Sequence, residues 1–168
     1  MTAEEVKKLL ALTPHPREGG WFVQTYAANE TTPAELFADG RYAGPRRSST
    51  AIYYLLEPGT FSEMHRLRSD EVFHFYAGDA VEMLQLFPGG SGRTIAMGND
   101  LLHGQRPQVL VERGVWQGSR LVPGGLWSLL GCTVAPGFEY EDYDSANRSE
   151  LTAQWPEFAG LIAALTRS

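Results

Sequence analysis

The sequence predicts an all-β protein, a barrel or sandwich with a short helix at each end. Three observations carry this. About nine runs of β-branched, aromatic and aliphatic residues recur at short spacing. Eighteen glycines and ten prolines separate them, as a chain of many tight turns requires. No alternation of strand and helix of the βαβ kind intervenes. With 168 residues, 43% of them hydrophobic, the chain suffices for one domain with a sizeable core, expected to span 1–168.

Taken in order, Thr2-Ala3-Glu4-Glu5 has the form of a capping box ahead of a short helix, with Val6, Leu9 and Leu10 on one face and Thr13-Pro14 ending it. His15-Pro16-Arg17-Glu18-Gly19-Gly20 is a loop, and His15 is expected to hydrogen-bond locally within it. Trp21 to Tyr26 is a strand. Residues 27–45, polar and broken by Pro33, Gly40, Gly44 and Pro45, form an irregular excursion that could act as a flap over a pocket. Ser48 to Leu56 is a strand, ended by Glu57-Pro58-Gly59-Thr60. Val81–Phe87, Arg93–Met97, Gln108–Val111, Val115–Leu121 and Leu126–Val134 follow as further strands between turn-rich segments. Phe138 to Asp144 alternates aromatic and acidic residues, the pattern of a strand with one face in water. Ser149 is placed to cap a turn of helix. Pro156 suits the first position of a final helix with Phe158, Leu161, Ile162 and Leu165 inward.

Composition excludes several partners. The formal net charge is −6, and basic residues cluster no further than Arg46-Arg47 and Arg66/Arg68, so nucleic acid is not an expected ligand. No apolar run approaches the roughly eighteen residues of a membrane span. The N-terminus has the pattern of a helix rather than a signal peptide. A single cysteine, Cys132, excludes an internal disulfide and fits a reducing cytoplasm, the expected location.

The chemistry concentrates between Gly59 and Gly78. His65 and Leu67 are two apart and share a strand face; Arg68-Ser69-Asp70 suits a turn; Glu71 opens a second strand with Phe73 and Phe75 on its face. The expected arrangement is a hairpin that sets His65 and Glu71 side by side. A carboxyl beside an imidazole in an apolar concavity can hold a metal or move a proton. The spacing resembles the first motif of the cupins, Gly-x5-His-x-His-x3-4-Glu-x6-Gly, with Leu67 where the second histidine belongs. Five further blocks occur in order: His15-Pro16 to Phe22, Ser49–Tyr53, Ser69–Gly78, Gly114–Gln117 and Gly131–Phe138. Together they are similar to the Cupin_5 family, also called DUF985, over roughly residues 5–160. Arg17, inserted in the first block, and Val23-Gln24, where many members have Arg-Glu, depart from its pattern.

The resemblance implies a cupin double-stranded β-helix, a jelly-roll barrel, paired as a homodimer. It also implies a pocket like that of sugar-nucleotide epimerases of the rhamnose type. A metal cupin takes two histidines and a glutamate from its first motif and a histidine from its second. Here Leu67 and Gln117 stand at two of those four positions, so no metal or other cofactor is expected; a metal, if held, would fall to His65, Glu71 and Gln117. His74, three residues after Glu71, belongs to the opposite strand face, and His103 lies in a loop with no partner at ligand spacing. His65 and Glu71 are then the expected catalytic pair, with Tyr53, Phe73, Phe75 and Gln117 lining a ligand site. Three functions follow: an isomerase or epimerase of a sugar or sugar-nucleotide, a non-catalytic metabolite-binding cupin, and a metal-dependent oxygenase or decarboxylase.

Overall fold

In the computed structural model, which describes residues 1–37 and 39–167, nine strands of four or more residues build two sheets. They are β1 (Trp21–Ala27), β2 (Thr50–Leu56), β3 (Phe61–Arg66), β4 (Asp70–Gly78), β5 (Val81–Leu86), β6 (Gly92–Met97), β7 (Gln108–Val111), β8 (Trp116–Leu121) and β9 (Ser128–Ala135). The six-stranded sheet runs Thr13–Pro14, β1, β2, β9, β4, β7, and the five-stranded sheet runs Asp144–Ser145, β3, β8, β5, β6. Neighbours in both are antiparallel. Alternate residues of each strand point between the sheets. Tyr54, Leu56, Phe73, Met83, Met97 and Leu130 meet there as the main core.

Helices cover part of the outside. Helix α1 (Ala3–Leu9) begins with the expected capping box, Thr2 and Glu5 bonding each other's backbone. It lays Val6 with Leu12 over Leu55 on the outer side of β2. At the other end, α2 (Arg148–Gln154) and α3 (Ala159–Ala164) bring Leu151, Ile162 and Leu165, with Trp155, onto Met64, Leu84 and Leu86 of the five-stranded sheet. The Trp155 indole N–H donates to the Ser91 carbonyl at 3.0 Å, so this bulky side chain is buried with its donor satisfied. No helix among the described residues is long and apolar enough to cross a membrane.

Four local expectations are corrected. β3 and β4 do not form a hairpin: β3 pairs with β8, β4 pairs with β9 and β7, and the two lie in different sheets. The segment Leu67–Ser69 is a corner between sheets. It is fastened by the Tyr42 hydroxyl, which lies 2.6 Å from Ser69 Oγ and 3.1 Å from the Arg68 carbonyl, and by the Gly114 N–H donating to the Leu67 carbonyl. The excursion expected as a flap therefore docks on this corner; its ends pair as Thr31–Thr32 with Arg46–Arg47. Ala38, within it, lies outside the described residues. The half-exposed strand expected at 138–144 is a 3-10 turn, Tyr140–Asp142, followed by a two-residue pairing of Asp144–Ser145 with β3. Its acids do not all face water: Asp142 is 2% exposed and accepts from Arg46 Nε and Nη2 at 2.7 and 2.8 Å. Asn147, not Ser149, caps α2, its side-chain oxygen accepting from the N–H groups of Ser149 and Glu150.

Candidate functional site

One cavity of about 360 Å³ opens between the sheets at the end where β3 gives way to β4. His65 and Glu71 both line it, one from each sheet. The crossing at Leu67–Ser69 thus brings them to one space by a different route from the expected hairpin. They face the cavity separately, and each is held by its own partners.

His65 is 1% exposed. Its Nδ1 lies 2.7 Å from the carbonyl oxygen of Glu63. A carbonyl can only accept, so Nδ1 carries a proton, and in the neutral ring Nε2 is the nitrogen with the lone pair. No hydrogen-bond partner for Nε2 is found among the described residues. The ring stacks on Tyr143, with centroids 4.6 Å apart and planes at 17°. Tyr143 is itself held by donating to Glu63 Oε1 at 3.1 Å, and Arg167 Nε sits 3.2 Å from the other oxygen of Glu63. Burial, and then the charge of Glu18, push the Tyr143 phenol well above its usual range. It remains a neutral hydroxyl.

Glu71 is 7% exposed and receives a hydrogen bond from Gln117 Nε2 at 2.5 Å. Burial raises its carboxyl to about 8; the negative charge of Glu18 adds to this, and the donors of Gln117 and Cys132 oppose it. At neutral pH Glu71 is mainly a protonated acid. Gln117 stands opposite His65 in the β8–β3 register, as its alignment on the lost histidine implies. Its side chain bonds Glu71 behind the cavity wall, and its Oε1 is buried without a partner.

The remaining residues expected at a ligand site lie elsewhere. Phe73 and Phe75 share the inward face of β4 with Glu71, but they pack the main core. Tyr53 is on the outer face, against the α1 cluster and edge-on to Tyr76 at 5.8 Å. It is Ile52, not Tyr53, that reaches the cavity. Both faces of β2 are apolar because α1 covers one of them, so the residue pattern does not reveal which set points inward. His74 is on the outer face as expected, near Thr133 and stacked on Tyr76. His103 is exposed and bonded to Asp100 at 2.7 Å.

The structure adds a second pair, His15 and Glu18. His15 Nδ1 accepts the backbone N–H of Glu18 at 2.8 Å, the local bond expected of it. A backbone N–H can only donate, so the His15 proton is on Nε2, which lies 3.9 Å from Glu18 Oε2. Burial lowers the His15 pKa, with Glu18 opposing and His65 assisting, so the ring stays neutral. The Glu18 carboxylate accepts from the Ser62 hydroxyl. Gly19 makes this approach possible. It has φ +99°, and a Cβ there would lie 2.4 Å from the Phe61 carbonyl oxygen. Phe22, Leu67, Val134, Phe138, Tyr140 and Tyr143 complete an apolar and aromatic wall. Only the block His15-Pro16…Glu18-Gly19-Gly20, as part of a family pattern, signalled these residues in the sequence.

Three comparisons bear on this fold and site. A profile of the Cupin_5 family, described as Cupin superfamily (DUF985), matches residues 4–146. The chain belongs to the Cupin_5 family. This cupin is 28% identical over 134 residues to the uncharacterized protein YML079W of Saccharomyces cerevisiae, the match covering 76% of this chain and 67% of the yeast protein. The solved structure of protein SO0799 from Shewanella oneidensis is 33% identical, covers 99% of this chain and 98% of its own, and superposes with a TM-score of 0.85. A hypothetical protein from Leishmania major gives 27% identity, full coverage of both chains and a TM-score of 0.89. The L-ribose isomerase of Cellulomonas parahominis, solved with L-psicose, shares the fold alone, at 11% identity and a TM-score of 0.55 over 79% of each chain.

Many cupins hold a metal at the position of His65 and Glu71. The donor set here does not fit one. Among the described residues no three His, Cys, Asp or Glu side chains are grouped to bind an ion, Leu67 puts hydrocarbon on the cavity wall, and Gln117 turns an N–H toward Glu71.

Proposed function

We propose that this cavity binds a small carbonyl compound and moves a proton within it, as an isomerase or epimerase does. The observation that carries this reading is the pairing of a buried imidazole lone pair, His65 Nε2, with a protonated acid, Glu71, on opposite walls of one enclosed space. His65 takes the proton from the carbon next to the carbonyl. The C–H electron pair becomes a C=C bond, and the carbonyl oxygen takes the Glu71 proton to form an enol. If the enol turns over before His65 returns the proton to the same carbon, and the enol hydroxyl gives its proton back to Glu71, the epimer forms; if that carbon bears a hydroxyl, His65 can instead protonate the former carbonyl carbon while this hydroxyl gives its proton to Glu71, which forms the isomer. Both side chains end as they began. The fixed tautomer and the Tyr143 stack support this assignment, because they hold the ring in one orientation.

The cavity lining contains no lysine or arginine. Arg66 pairs with Asp144 on the exterior. A diphosphate held inside the cavity therefore has no cation to meet, and the reading narrows to small compounds without phosphate. Thermal-shift screening of a metabolite panel identifies ligands, and deuterium wash-in from heavy water then separates turnover from binding. Exchange at the carbon next to the carbonyl in the wild type, abolished in His65→Ala, is the expected result. Ligands that stabilise the protein with no exchange above that control would leave it a binding protein only.

A homodimer in a reducing compartment completes the proposal. The outer face of the six-stranded sheet offers Tyr76 and Leu110, 49% and 46% exposed, beside Tyr53 and His74. Cys132, the one cysteine, is buried and free.

A further inference from the structure

The carboxyl groups buried in this protein do not all have the same company. Among the described residues four acids are buried: Glu18, Glu63, Glu71 and Asp142. Asp142 has a two-point bond with Arg46, and Glu63 has Arg167. Glu71 meets its burial by keeping a proton. Glu18 has no such cation beside it. Its side chain is 12% exposed, it accepts from one hydroxyl, Ser62, and no lysine or arginine among the described residues lies within ion-pair distance. The nearest basic group, His15, is neutral and 3.9 Å away. A buried carboxylate left without a cation is costly, and proteins ordinarily pair such charges.

The groups around Glu18 extend the pattern. His65 Nε2, another cavity atom without a partner among the described residues, is an acceptor. Four aromatic rings, Phe22, Phe138, Tyr140 and Tyr143, surround the same space. Arg17 and Arg167 come near but are turned away. Arg17 donates to the Tyr140 carbonyl at 3.2 Å, and Arg167 faces Glu63. Burial first, with the charge of Glu18 as a smaller contribution, raises Glu71, Cys132, Tyr54, Tyr140 and Tyr143. A donor-rich positive group of a size the cavity admits would match the Glu18 carboxylate.

From this geometry we infer that the cavity's ligand is a small organic amine, whose ammonium group pairs with Glu18 against the aromatic wall. The inference rests on the proposed small-molecule site and narrows its ligand class. An ammonium group has three N–H donors and can bond the Glu18 carboxylate while His65 Nε2 stays free to act as the base. The aromatic faces favour a cation over a neutral head group of the same shape. Glu71 keeps its proton and its separate role, so the amine and the carbonyl it would polarise belong to one molecule, an amino-substituted carbonyl compound.

Three probes of one shape test this whatever the natural ligand is: 3,3-dimethylbutylammonium, 3,3-dimethyl-1-butanol and 3,3-dimethylbutanoate. They share an apolar body and differ in the charge of the head. Binding is measured on the full chain by ligand-observed NMR and calorimetry at neutral pH. The expected order is ammonium first, alcohol at least about tenfold weaker and carboxylate undetected, since one unit charge on a partly buried partner is worth more than about 1.4 kcal/mol, a factor of ten. Glu18→Gln removes the preference for the ammonium over the alcohol. Equal binding of ammonium and alcohol, detectable carboxylate binding, an unchanged preference in Glu18→Gln, or no binding of the ammonium each overturns the inference. The first comparison uses wild-type protein, so it stands even if the variant does not fold. Should the alcohol bind without any preference for the amine, the small-molecule site survives and the amine assignment fails. Should neither these probes nor the metabolite panel bind, both fail.

Discussion

Glu71 sits where burial opposes a negative charge, and a second carboxylate, Glu18, opposes it further. The consequence for stability has a definite sign. The folded chain holds this proton up to about pH 8, whereas an ordinary glutamate gives it up near 4.5. Between those values the folded state binds more protons than the unfolded state, so stability falls as pH rises through that window and levels off above it. At up to about 1.4 kcal/mol for each pH unit, the loss is on the order of a few kcal/mol. Urea unfolding at about pH 5, 7 and 9 measures it, and Glu71→Gln is expected to flatten this part of the curve and to be the more stable protein at the alkaline end. Catalysis by the proposed route falls as pH rises through about 8, where the proton donor of the folded protein ionises. The residue scale is also where sequence patterns reach least far. His65, Glu71 and Gln117 are legible because motif spacing marks them, even with two ligands replaced. Glu18 is not, because its meaning lies in a cation that is missing from the folded surroundings, and no spacing reports that.

Among the elements, the segment between β9 and α2 matters most to the site. It brings Phe138, Tyr140 and Tyr143 to the cavity and is clamped from below by Arg46, whose guanidinium meets both Asp142 oxygens and Glu141. Arg46 is 2% exposed, and it comes from the end of the excursion that also fastens the Leu67–Ser69 corner. One element thus supports both sides of the cavity mouth. Arg46→Ala leaves Asp142 buried and uncompensated, at a cost of about 3–5 kcal/mol. Chemical denaturation is expected to show that loss, and ligand affinity to drop with it, whereas an Arg46→Ala, Asp142→Ala double variant should recover part of the stability. Sequence patterning finds the strands themselves, since their β-branched and aromatic runs are bounded by turns. It misassigns this segment: alternating aromatics and acids describe a strand beside water as well as a loop with rings facing a cavity and an acid facing a buried arginine. A hairpin and a sheet-crossing corner likewise share the turn residues Arg68-Ser69-Asp70, and only long-range pairing with β8 and β9 separates them.

At the scale of the whole molecule, the two sheets have unequal outer faces. The five-stranded sheet is covered by α2 and α3 and the β2 end of the other by α1. The rest of the six-stranded sheet presents Tyr76 lying across Gly131, where an added Cβ would fall 2.2 Å from the Tyr76 hydroxyl. This flat aromatic face suits a second copy of the chain. Light scattering coupled to size exclusion is expected to give twice the 18.6 kDa chain mass, and Tyr76→Asp to shift it toward the monomer. A monomeric wild type would remove the dimer from the proposal. The overall architecture is readable from turn density and strand spacing, because those follow from local chemistry. The facing of individual strands is not, as Tyr53 shows, because a helix more than forty residues earlier in the chain hides the outer side of β2.

Every function proposed for the cavity depends on His65 presenting an unprotonated Nε2 to a ligand there. Two-bond proton–nitrogen NMR of the imidazoles at about pH 7.5 reads this atom by atom. It should find His65 neutral with its proton on Nδ1 and His15 with its proton on Nε2, and the His65 Nε2 resonance should move when a stabilising ligand is added. A His65 ring protonated on Nε2, or an Nε2 signal indifferent to every ligand that stabilises the fold, would contradict it.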